Sequence, residues 1–600
     1  MKQILLAIFA GTVIFSCSNP VQKSQNQDAE ITIFFDSVFD DHLSRDPEYQ
    51  TVLGDKSQYD KWNDISDEKA IEENQRVINM LKIFLNRFNR SNLTGTSLVS
   101  YDLFVQECEE KIESFPYRFH KYFLNQMEGK HSSVPSFLIN MHTIGNKKEA
   151  EDYLSRLNRI PHHFRQLLEL MKISESKGII PPKFVFPRVL DDSKNLMLGF
   201  PFEKSKITSP LYEDFSSKIN KIELSSAEKK ELLNFAEKAL IDSVKPAYES
   251  LMVYWKELEK KATEDDGCWK FPDGGKFYAV SLKQTTTTSL SPEEIHRLGI
   301  DEVKRIHSEM EVIKEKVGFK GTLLEFFNFM RTDKRFYFSN DAKGKKAYVD
   351  EANKIIEGMR LKLDDLFLTK PKANLVVKPV EAYREKSAGG AFYEEPALDG
   401  SRPGRYYINL FTLSDQPIYQ MEALAYHEAI PGHHMQIAIA QELKNLPKFR
   451  KLGGNTAYVE GWALYSELIP KEIGFYQDAY SDFGRLAMEV FRASRLVIDT
   501  GIHYKKWTRK QALQYMIENT PNPEGDCSKE IDRYIVWPSQ ATGYKVGMVT
   551  ILKLRERCKK QLGDKFNIKE FHDVVLTNGP VPLNILENLV NEYISNKLRS

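Results

Sequence analysis

The spacing of hydrophobic residues is helical along most of the chain. In the segment RVINMLKIFLNRF, which begins at Arg76, apolar residues recur every three or four positions between charged ones. A later segment has the same spacing along one helical face, at Phe483, Leu486, Ala487, Val490 and Phe491. The pattern therefore predicts helices over 31–261 and again from Pro417 to the end of the chain.

Two proline- and glycine-rich segments interrupt this pattern. In GIIPPKFVFPRVL, from Gly178, the prolines predict an extended connection between helices. In EDDGCWKFPDGGKFYAVSL, residues 264–282, turn residues flank aromatic runs that are typical of strands, and we place a lobe boundary there. Helices resume at Ser291, where Pro292 and Glu294 are spaced for a capping box.

A third passage, residues 373–411, predicts short strands. Val376, Val377 and Val380, then 391–393, then 406–410 are β-prone runs separated by glycine and proline turns. The passage leads directly into a histidine-rich motif. We therefore expect a mainly α fold with a small β element beside that motif.

The size and charge of the chain limit the possible classes of protein. It has 600 residues, 41% of them hydrophobic, and its 84 basic residues balance 84 acidic ones. This composition is that of a folded protein large enough for two lobes, and it gives no electrostatic reason to expect a nucleic-acid partner. We predict an N-terminal helical lobe over 31–263 and a metal-binding catalytic lobe over 264–600.

The first residues have the features of a bacterial export signal. Lys2 precedes an apolar run over 4–15 that is too short to span a bilayer, and small residues lead to Cys17. The residues before Cys17 resemble a lipobox, which predicts a lipoprotein signal peptide over 1–17, a lipid anchor at Cys17 and a polar tether over 18–30. An ordinary signal cut near Ser16 is the alternative. Ser18 gives no aspartate retention signal, so we expect an outer-membrane protein that faces the periplasm or the exterior.

Four further cysteines would lie in that oxidising compartment. They are Cys108, Cys268, Cys527 and Cys558. Disulfides are possible there, and the spacing does not determine their pairing. None of the four has the C-x-x-C spacing of a zinc ribbon.

The candidate chemistry is concentrated in AYHEAIPGHHMQ, residues 425–436. Three of the 13 histidines, His427, His433 and His434, lie within eight residues, next to Glu428 and in an otherwise apolar segment. An unpaired glutamate is costly to bury in such a segment. A metal site therefore explains the motif better than incidental surface or core histidines.

An unbroken helix cannot bring two of these histidines to one ion. His434 lies about 10 Å from His427 along a regular helix, and His433 falls on a different face. Pro431 and Gly432 allow a kink or bulge, since proline removes a backbone hydrogen bond and glycine tolerates unusual dihedral angles. We predict that this distortion brings His433, or alternatively His434, beside His427.

A catalytic zinc ion usually has three protein ligands, which leaves one position for water. In NTAYVEGWALYSELIP, Glu460 is the candidate third ligand, and Glu467 is either a supporting carboxylate or a solvent-facing one. Glu428, adjacent to His427, is the candidate general base that moves a proton from water to a leaving amine. The sequence thus predicts a zinc-dependent hydrolase.

The segment DRYIVWPSQATGYKVG, residues 532–547, provides further candidates. The hydroxyl of Tyr534 or Tyr544 is suited to stabilise an oxyanion, although either residue is equally explained by packing. Arg533 and Lys545 are suited to hold a peptide carboxylate.

A second candidate segment is RASRLVIDTGIHYKKW, which contains Arg492 and Arg495. Its Asp499 and His503 have i, i+4 spacing, which puts a carboxylate beside an imidazole on a helix. The pair would orient or contact substrate, or it would be a simple helix-surface contact.

These motifs together resemble a known family. YHEAIPGHHMQ, YVEGWALYSE, VIDTGIH and RYIVWPSQATGYKVG, with FPDGGKFYAVSLKQTTTTSLSPEEIHRLG and DGSRPGRYYINL upstream, look like the bacterial family called domain of unknown function 885, which includes many lipoproteins. More distantly, the chain is similar to the helical glutamate-zincins of the thimet oligopeptidase, neurolysin and angiotensin-converting enzyme type. Their H-E-x-G-H motif matches Gly432-His433 and favours His433 as ligand, although this sequence has two additional residues ending in proline.

The resemblance implies a large two-lobed helical body with a deep central cleft, a small β element beside the metal, and peptidase activity. In such folds a strand edge can align an extended peptide, and the region 391–410, including Arg405, is the candidate for substrate binding. We therefore expect a zinc peptidase that acts on short peptides. The alternatives are a metal-dependent amidase for cell-wall or acylated amino-acid substrates, and a non-catalytic peptide-binding lipoprotein, in which Glu428 would have no use as a base.

Overall fold

The chain folds mainly into α-helices, with one small sheet, as the sequence pattern predicts. A computed structural model describes residues 20–381, 385, 389–397, 400, 402–444, 446–451 and 453–599. The predicted signal peptide, with Cys17, lies outside the described residues. Helix α1 begins at Pro20, so the segment predicted as a tether is helical from that residue onward.

Most of the helices precede the sheet in sequence. They are α1 (Pro20–Leu43), α2 (Pro47–Val52), α3 (Asp67–Arg87), α4 (Gly95–Ser114), α5 (Lys130–Asn140), α6 (Lys147–Ser176), α7 (Val185–Leu196), α8 (Pro210–Lys221), α9 (Ser226–Ala239), α10 (Lys245–Glu259), α11 (Gly274–Thr286), α12 (Pro292–Lys316), α13 (Leu323–Thr332), α14 (Ala342–Arg360) and α15 (Leu363–Leu366). The predicted capping box at Ser291 and Glu294 is present at the start of α12. It supplies partners for backbone N–H groups that have none within the helix.

The helices that carry the histidine motif and the rest of the chain follow the sheet. They are α16 (Met421–Glu428), α17 (His433–Glu442), α18 (Lys448–Lys451), α19 (Thr456–Glu472), α20 (Ala479–His503), α21 (Arg509–Asn519), α22 (Glu524–Val536), α23 (Gly543–Leu562), α24 (Ile568–Leu576) and α25 (Leu583–Arg599). Two helix pairs are in especially close contact, α12 against α20 and α19 against α23. The second pair depends on glycine, because a Cβ on Gly461 would lie 2.5 Å from Cα of Gly547.

The sheet has three short strands, β1 (Leu375–Pro379), β2 (Ala391–Glu394) and β3 (Gly404–Ile408). Their order is β1-β3-β2, with β1 parallel and β2 antiparallel to the central β3. The middle strand is buried at Tyr406, Tyr407 and Ile408. The predicted strand passage is confirmed, and β2 lies at an outer edge of the sheet.

The largest apolar core extends from Leu103 to Ile594 and so includes residues on both sides of the predicted boundary at 263/264. A smaller aromatic core joins Phe35, Phe84 and Phe104 to Phe449. These helices bury their apolar stripes against one another, which is the main source of helix stability in a folded protein. The division into two lobes stays a prediction.

Two local predictions are wrong. Residues 264–282 contain no strand: a 3-10 turn over Cys268–Lys270 leads into α11, whose Tyr278 and Leu282 are buried one helical turn apart. The segment from Gly178 is irregular only as far as Phe184, after which α7 begins. In both places a buried helical face overrides the local strand-like or proline-rich composition.

The four cysteines beyond the signal segment are free thiols, all of them buried. Burial raises the pKa of the Cys108 thiol to about 12 and that of Cys558 to about 11. These thiols remain protonated at neutral pH and therefore react slowly. The possible disulfides of the sequence prediction are not formed.

Among the residues that the structure describes, no helix has both the length and the apolar character needed to cross a membrane.

Candidate metal centre

The histidine motif folds as two helices with a sharp break between them. Helix α16 ends at Glu428 and α17 begins at His433, while Ala429 and Gly432 have non-helical dihedral angles (φ −99°, ψ −110° and φ −83°, ψ −127°). A Cβ on Gly432 would lie only 1.9 Å from the carbonyl oxygen of His427, so only glycine fits. The predicted distortion at Pro431-Gly432 is confirmed.

Helix α19 holds the break in place. The indole Nε1 of Trp462 donates to the carbonyl of Pro431 at 2.9 Å, and the hydroxyl of Ser466 donates to the carbonyl of Tyr426 at 3.1 Å. Both donors are fully buried. The helix that carries Glu460 is therefore fixed directly to the turn that separates His427 from His433.

The break brings three potential metal ligands together. Nε2 of His427 and Nε2 of His433 each lie 3.6 Å from Oε2 of Glu460, and the three ligand atoms all lie within 4.8 Å of one another. Zinc bonds of about 2.0–2.2 Å in a tetrahedron separate neighbouring ligand atoms by about 3.3–3.6 Å. The distances to Glu460 fit that geometry without rearrangement.

The three side chains also have the surroundings of a metal site. Oε2 of Glu460 is buried and accepts no hydrogen bond from any described residue, which is costly for a carboxylate unless a cation is bound there. Two imidazole nitrogens and one carboxylate oxygen are a donor set that zinc commonly takes. The residues therefore fit a zinc ion.

Each histidine is oriented by a second contact. Nδ1 of His427 lies 2.7 Å from Oε1 of the buried Glu467, the carboxylate–histidine arrangement that fixes the ring of a metal ligand. The side-chain amide of Gln436 lies 3.0 Å from Nδ1 of His433 and donates to the carbonyl of Val459 at 2.8 Å. Glu467 therefore contacts His427 and does not face solvent, as the supporting role requires.

The charges of the cluster stabilise one another. Burial disfavours a charged His427, but the nearby carboxylates of Glu460 and Glu467 outweigh it and raise the pKa of His427 to about 9. Burial likewise opposes ionisation of Glu460, and the two histidines reverse this and hold its pKa well below the usual value. The carboxylate is thus ionised and available to a cation at neutral pH.

Glu428, the predicted base, lies at the C-terminal end of α16, next to the ligand His427. It is 9% exposed, and no described residue forms a hydrogen bond with its carboxylate. Burial, with smaller contributions from the charges of Tyr348 and Glu428, raises the pKa of Tyr406 on β3 well above its usual value. The carboxylate thus follows His427 directly in the chain, and its charge is one of those that raise the pKa of that histidine.

His434, the alternative ligand, points away from the cluster. Its Nδ1 lies 3.0 Å from the hydroxyl of Tyr393 on β2, and its Nε2 lies 3.1 Å from the carbonyl of Ala373. Burial lowers the pKa of His434 to about 4, so the ring is neutral. The alternative is wrong because both nitrogens anchor α17 to the sheet.

Tyr544 is the predicted oxyanion donor that lies near the cluster. It follows Gly543, and a Cβ on that glycine would lie 3.1 Å from Thr456 at the start of α19. Burial raises the pKa of Tyr544, and the negative charge of Glu460 adds to the effect. Its hydroxyl is therefore a protonated hydrogen-bond donor near one of the three potential ligands.

Tyr534 already forms hydrogen bonds with two other side chains. Its buried hydroxyl donates to Glu530 at 2.7 Å and accepts from Nε of Arg495 at 2.9 Å. Arg533 contacts the same glutamate at 2.9 Å and also borders a cavity of about 900 Å³. The Tyr534 hydroxyl thus has two partners already. Arg533 also donates to Gln540 at 2.8 Å, and its Nε is the nitrogen without a partner among the described residues.

Lys545 is wrongly predicted to bind substrate. Its side chain is fully buried, and Nζ forms ion pairs with Glu302 at 2.9 Å and Glu489 at 2.6 Å. These two acids, from α12 and α20, occupy the ammonium group. Lys545 therefore connects three helices instead of facing a substrate.

His503 is a structural histidine as well. Its Nδ1 accepts from the backbone N–H of Cys268 at 3.1 Å, its Nε2 donates to the carbonyl of Tyr534 at 3.0 Å, and burial lowers its pKa to about 4. Asp499 instead accepts from the hydroxyl of Tyr278 at 2.5 Å. The predicted Asp499–His503 pair is wrong, and so is substrate binding by His503.

Arg405 lies on the central strand, opposite Glu394 of β2. Its guanidinium is 3.8 Å from the Glu394 carboxylate and donates to the hydroxyl of Tyr407 at 3.3 Å. About a quarter of the side chain is exposed (28%). Its predicted role in substrate binding stays a prediction.

The sequence prediction missed Gln436 and Tyr406. Gln436 lies three residues after His433, so both share a face of α17, and this spacing could have indicated the contact. Tyr406 offers no such signal, because the effect of Glu428 on its pKa depends on how the sheet packs against the motif.

Comparison with known proteins places the chain in a family. Residues 47–590 match the bacterial proteins of unknown function grouped as DUF885. The chain belongs to this family. A search of curated proteins finds no match for this DUF885 protein.

Two solved structures share the fold of this DUF885 chain. The "putative lipoprotein" from Colwellia psychrerythraea is 32% identical, with a TM-score of 0.83 over 96% of this chain and 100% of that one. A "putative lipoprotein of unknown function" from Shewanella oneidensis is 18% identical, with a TM-score of 0.73 over 94% of this chain and 99% of that one. The second likeness concerns the fold alone.

Proposed function

We propose that this DUF885 protein is a zinc-dependent hydrolase that cleaves peptide bonds in short peptides. The observation that carries the proposal is the convergence of His427, His433 and Glu460 beside an unpaired carboxylate, Glu428. A purely structural metal site has no use for such a carboxylate, since structural zinc sites have all four positions filled by protein. A site with three protein ligands and a neighbouring base is typical of hydrolysis.

The chain's own residues account for the proton movements of such a reaction. When bound, zinc supplies a Lewis acid that polarises the scissile carbonyl and makes water more acidic. Glu428 accepts the proton of the attacking water and delivers it to the leaving amine. Tyr544, whose hydroxyl stays protonated, is suited to donate a hydrogen bond to the developing oxyanion. Glu467 and Gln436 hold the two histidine rings.

Two features of the structure support a peptide as the substrate. Strand β2 lies at an outer edge of the described sheet and packs against α16, so an extended peptide could add to it through backbone hydrogen bonds. The residues before β2, Gly389 and Gly390, line the cavity of about 900 Å³ that Arg533 also borders. Its size suits a short peptide, because ligand cavities are commonly about 300–1,000 Å³.

Metal removal tests the proposal directly. We expect the purified protein to contain about one zinc per chain, to hydrolyse members of a short-peptide library, to lose this turnover with a chelator and to regain it with zinc. Metal content is measured by mass spectrometry and cleavage by chromatography of the products. Full turnover by metal-free protein would contradict the proposal. Turnover of acylated amino acids alone would favour an amidase, and tight peptide binding without turnover would favour a binding protein.

We also propose that the protein is anchored by lipid at Cys17 in the outer membrane, facing the periplasm or the exterior. The lipobox-like sequence before Cys17 supports this, as does the name of the Colwellia structure. We expect cells that express the protein to incorporate labelled palmitate into it, and Cys17→Ala to abolish the label. Ser24→Ala, in the same segment, should retain it. Label retained in Cys17→Ala would exclude acylation of this cysteine, and fractionation of the two membranes tests the location.

A further inference from the structure

Three arginines from two helices act on Tyr544, and two of them bind a single acid. Arg492 and Arg495 belong to α20, and Arg533 belongs to α22. Glu530 accepts from Arg495 at 3.0 Å and from Arg533 at 2.9 Å. Burial opposes its ionisation, but these arginines outweigh it and lower the pKa of Glu530 to about 2. Two guanidinium groups therefore share one carboxylate, and with Arg492 the three arginines keep an excess of positive charge.

Several of the guanidinium nitrogens have no acceptor. Arg495 is only 5% exposed, yet its Nη1 has no hydrogen-bond partner among the described residues. The same holds for Nε of Arg492, whose Nη1 makes only a long contact of 3.4 Å with the carbonyl of Met488. Buried donors are almost always satisfied in native proteins. Unpartnered donors on two neighbouring guanidinium groups leave these groups available to an anion.

A single side chain, that of Tyr544, connects this arginine cluster to the metal centre. The guanidinium carbon of Arg495 is 4.5 Å from the ring centroid of Tyr544. Tyr544 lies on α23 where it crosses α19, the helix that carries Glu460. Both the Glu460 carboxylate and the three arginines act on the pKa of the Tyr544 hydroxyl, in opposite directions. The tyrosine therefore lies between the two sites.

We propose that Arg492, Arg495 and Arg533 bind the C-terminal carboxylate of the peptide, which makes the protein a carboxypeptidase-type exopeptidase. This inference rests on the proposed peptide hydrolysis. A free C-terminal carboxylate is the one anion that every linear peptide carries, and the planar guanidinium fork matches it with two parallel hydrogen bonds. Each extended residue spans about 3.3–3.6 Å, so the short path through Tyr544 allows only a few residues between the carboxylate and the scissile bond.

The test compares each peptide with its C-terminal amide, which removes the negative charge and keeps the rest of the substrate. We expect the wild-type kcat/KM to favour the free acid by about 10- to 100-fold, the usual worth of a charge-assisted hydrogen-bond pair. Arg492→Gln should reduce this ratio to about 3-fold or less, because one guanidinium is lost. Arg492 is partly exposed, and its contacts, with the carbonyl of Met488 and the ring of Phe491, are local, so we expect its variant to fold.

The matched control is Arg557→Gln, which removes an arginine from the outer part of α23, where it pairs with Glu587. It should leave the acid-to-amide ratio unchanged. Equal turnover of acid and amide by the wild type would overturn the carboxylate site and leave the hydrolase intact. No turnover of any peptide, with zinc bound, would instead overturn the proposed function.

A binding measurement decides the arginine site without turnover. Calorimetric titration of chelator-treated protein with a dipeptide and with its amide reports the anion site alone. We expect binding of the acid to be about 10-fold or more tighter than that of the amide, and Arg492→Gln to remove the difference. Equal affinities in the wild type would overturn the inference. Arg495→Lys, which keeps the charge but loses the fork, should retain only part of the preference.

Discussion

Glu428→Gln is expected to keep its zinc and to lose about 100- to 10,000-fold of kcat, the usual contribution of a general base. Glutamine has nearly the same shape as glutamate but cannot accept the proton of the attacking water. Glu428 makes no hydrogen bond to a described residue, so its replacement breaks none. We therefore expect the melting temperature to change little. Zinc content, calorimetric melting and peptide turnover are measured on the same preparation.

A matched control for this variant is Glu592→Gln, an exposed glutamate on α25. It removes one negative charge far along the chain from the motif and should leave turnover unchanged. Unchanged turnover in Glu428→Gln would show that another group accepts the proton, and the proposed role of Glu428 would then be wrong. Loss of zinc together with turnover would show that Glu428 acts on the metal site itself.

The general form of the metal site could be predicted from the sequence because it depends on local chemistry. Pro431 and Gly432 stand between histidines whose spacing no regular helix can use, so a break was the physical solution. Glu460 and Glu467 lie seven residues apart on one helix, which puts the ligand and its supporting carboxylate on nearly the same face. These features need no knowledge of distant contacts.

The choice between the two histidines depended on contacts that the motif does not contain. His434 is held by Tyr393 and by the carbonyl of Ala373, which are 41 and 61 residues earlier in the chain. Only the position of the sheet decides which imidazole is left for the metal. The resemblance to glutamate-zincins favoured His433, whereas spacing alone left both open.

The same limit explains why Lys545, His503 and Tyr534 were predicted to act on substrate. A polar side chain near a candidate site is interpreted as functional when its partners are unknown. Lys545 pairs with Glu489, which is 56 residues earlier, and His503 bonds to the backbone of Cys268. Burial with satisfied partners marks them as parts of the framework. Arg495, in contrast, is buried while its Nη1 has no acceptor among the described residues.

A buried ion network holds the framework around the centre. Glu489 of α20 pairs with Lys545 of α23 and, on the other side, with Arg305 of α12. The three cations around it, including Arg485, outweigh burial and lower the pKa of Glu489 to about 2. Removal of one partner would leave a buried charge unpaired, which is strongly destabilising. Arg492 and Arg495 lie on this same helix, which the network fixes in place.

His433→Ala and His434→Ala are expected to separate metal binding from sheet packing. His433→Ala removes one of three proposed ligands, so we expect the zinc dissociation constant to rise by more than about 100-fold. Changes to residues that only hydrogen-bond to a ligand typically cost about 10- to 100-fold. Added zinc should raise the melting temperature of the wild type but not that of this variant. A ligand stabilises the folded protein only at concentrations above its dissociation constant. Competition with a chromogenic chelator measures the constant.

His434→Ala is the matched control, because it removes the neighbouring imidazole from the same helix. We expect it to bind zinc within about 10-fold of the wild type, since no ligand is lost and only the anchoring of α17 is weakened. It should be less stable by about 1–3 kcal/mol, because Tyr393 and the carbonyl of Ala373 lose their partner. The reverse pattern, with zinc lost in His434→Ala and kept in His433→Ala, would assign the ion to the sheet side of the helix. The buried Oε2 of Glu460 would then have no metal to compensate for its lack of a hydrogen-bond partner.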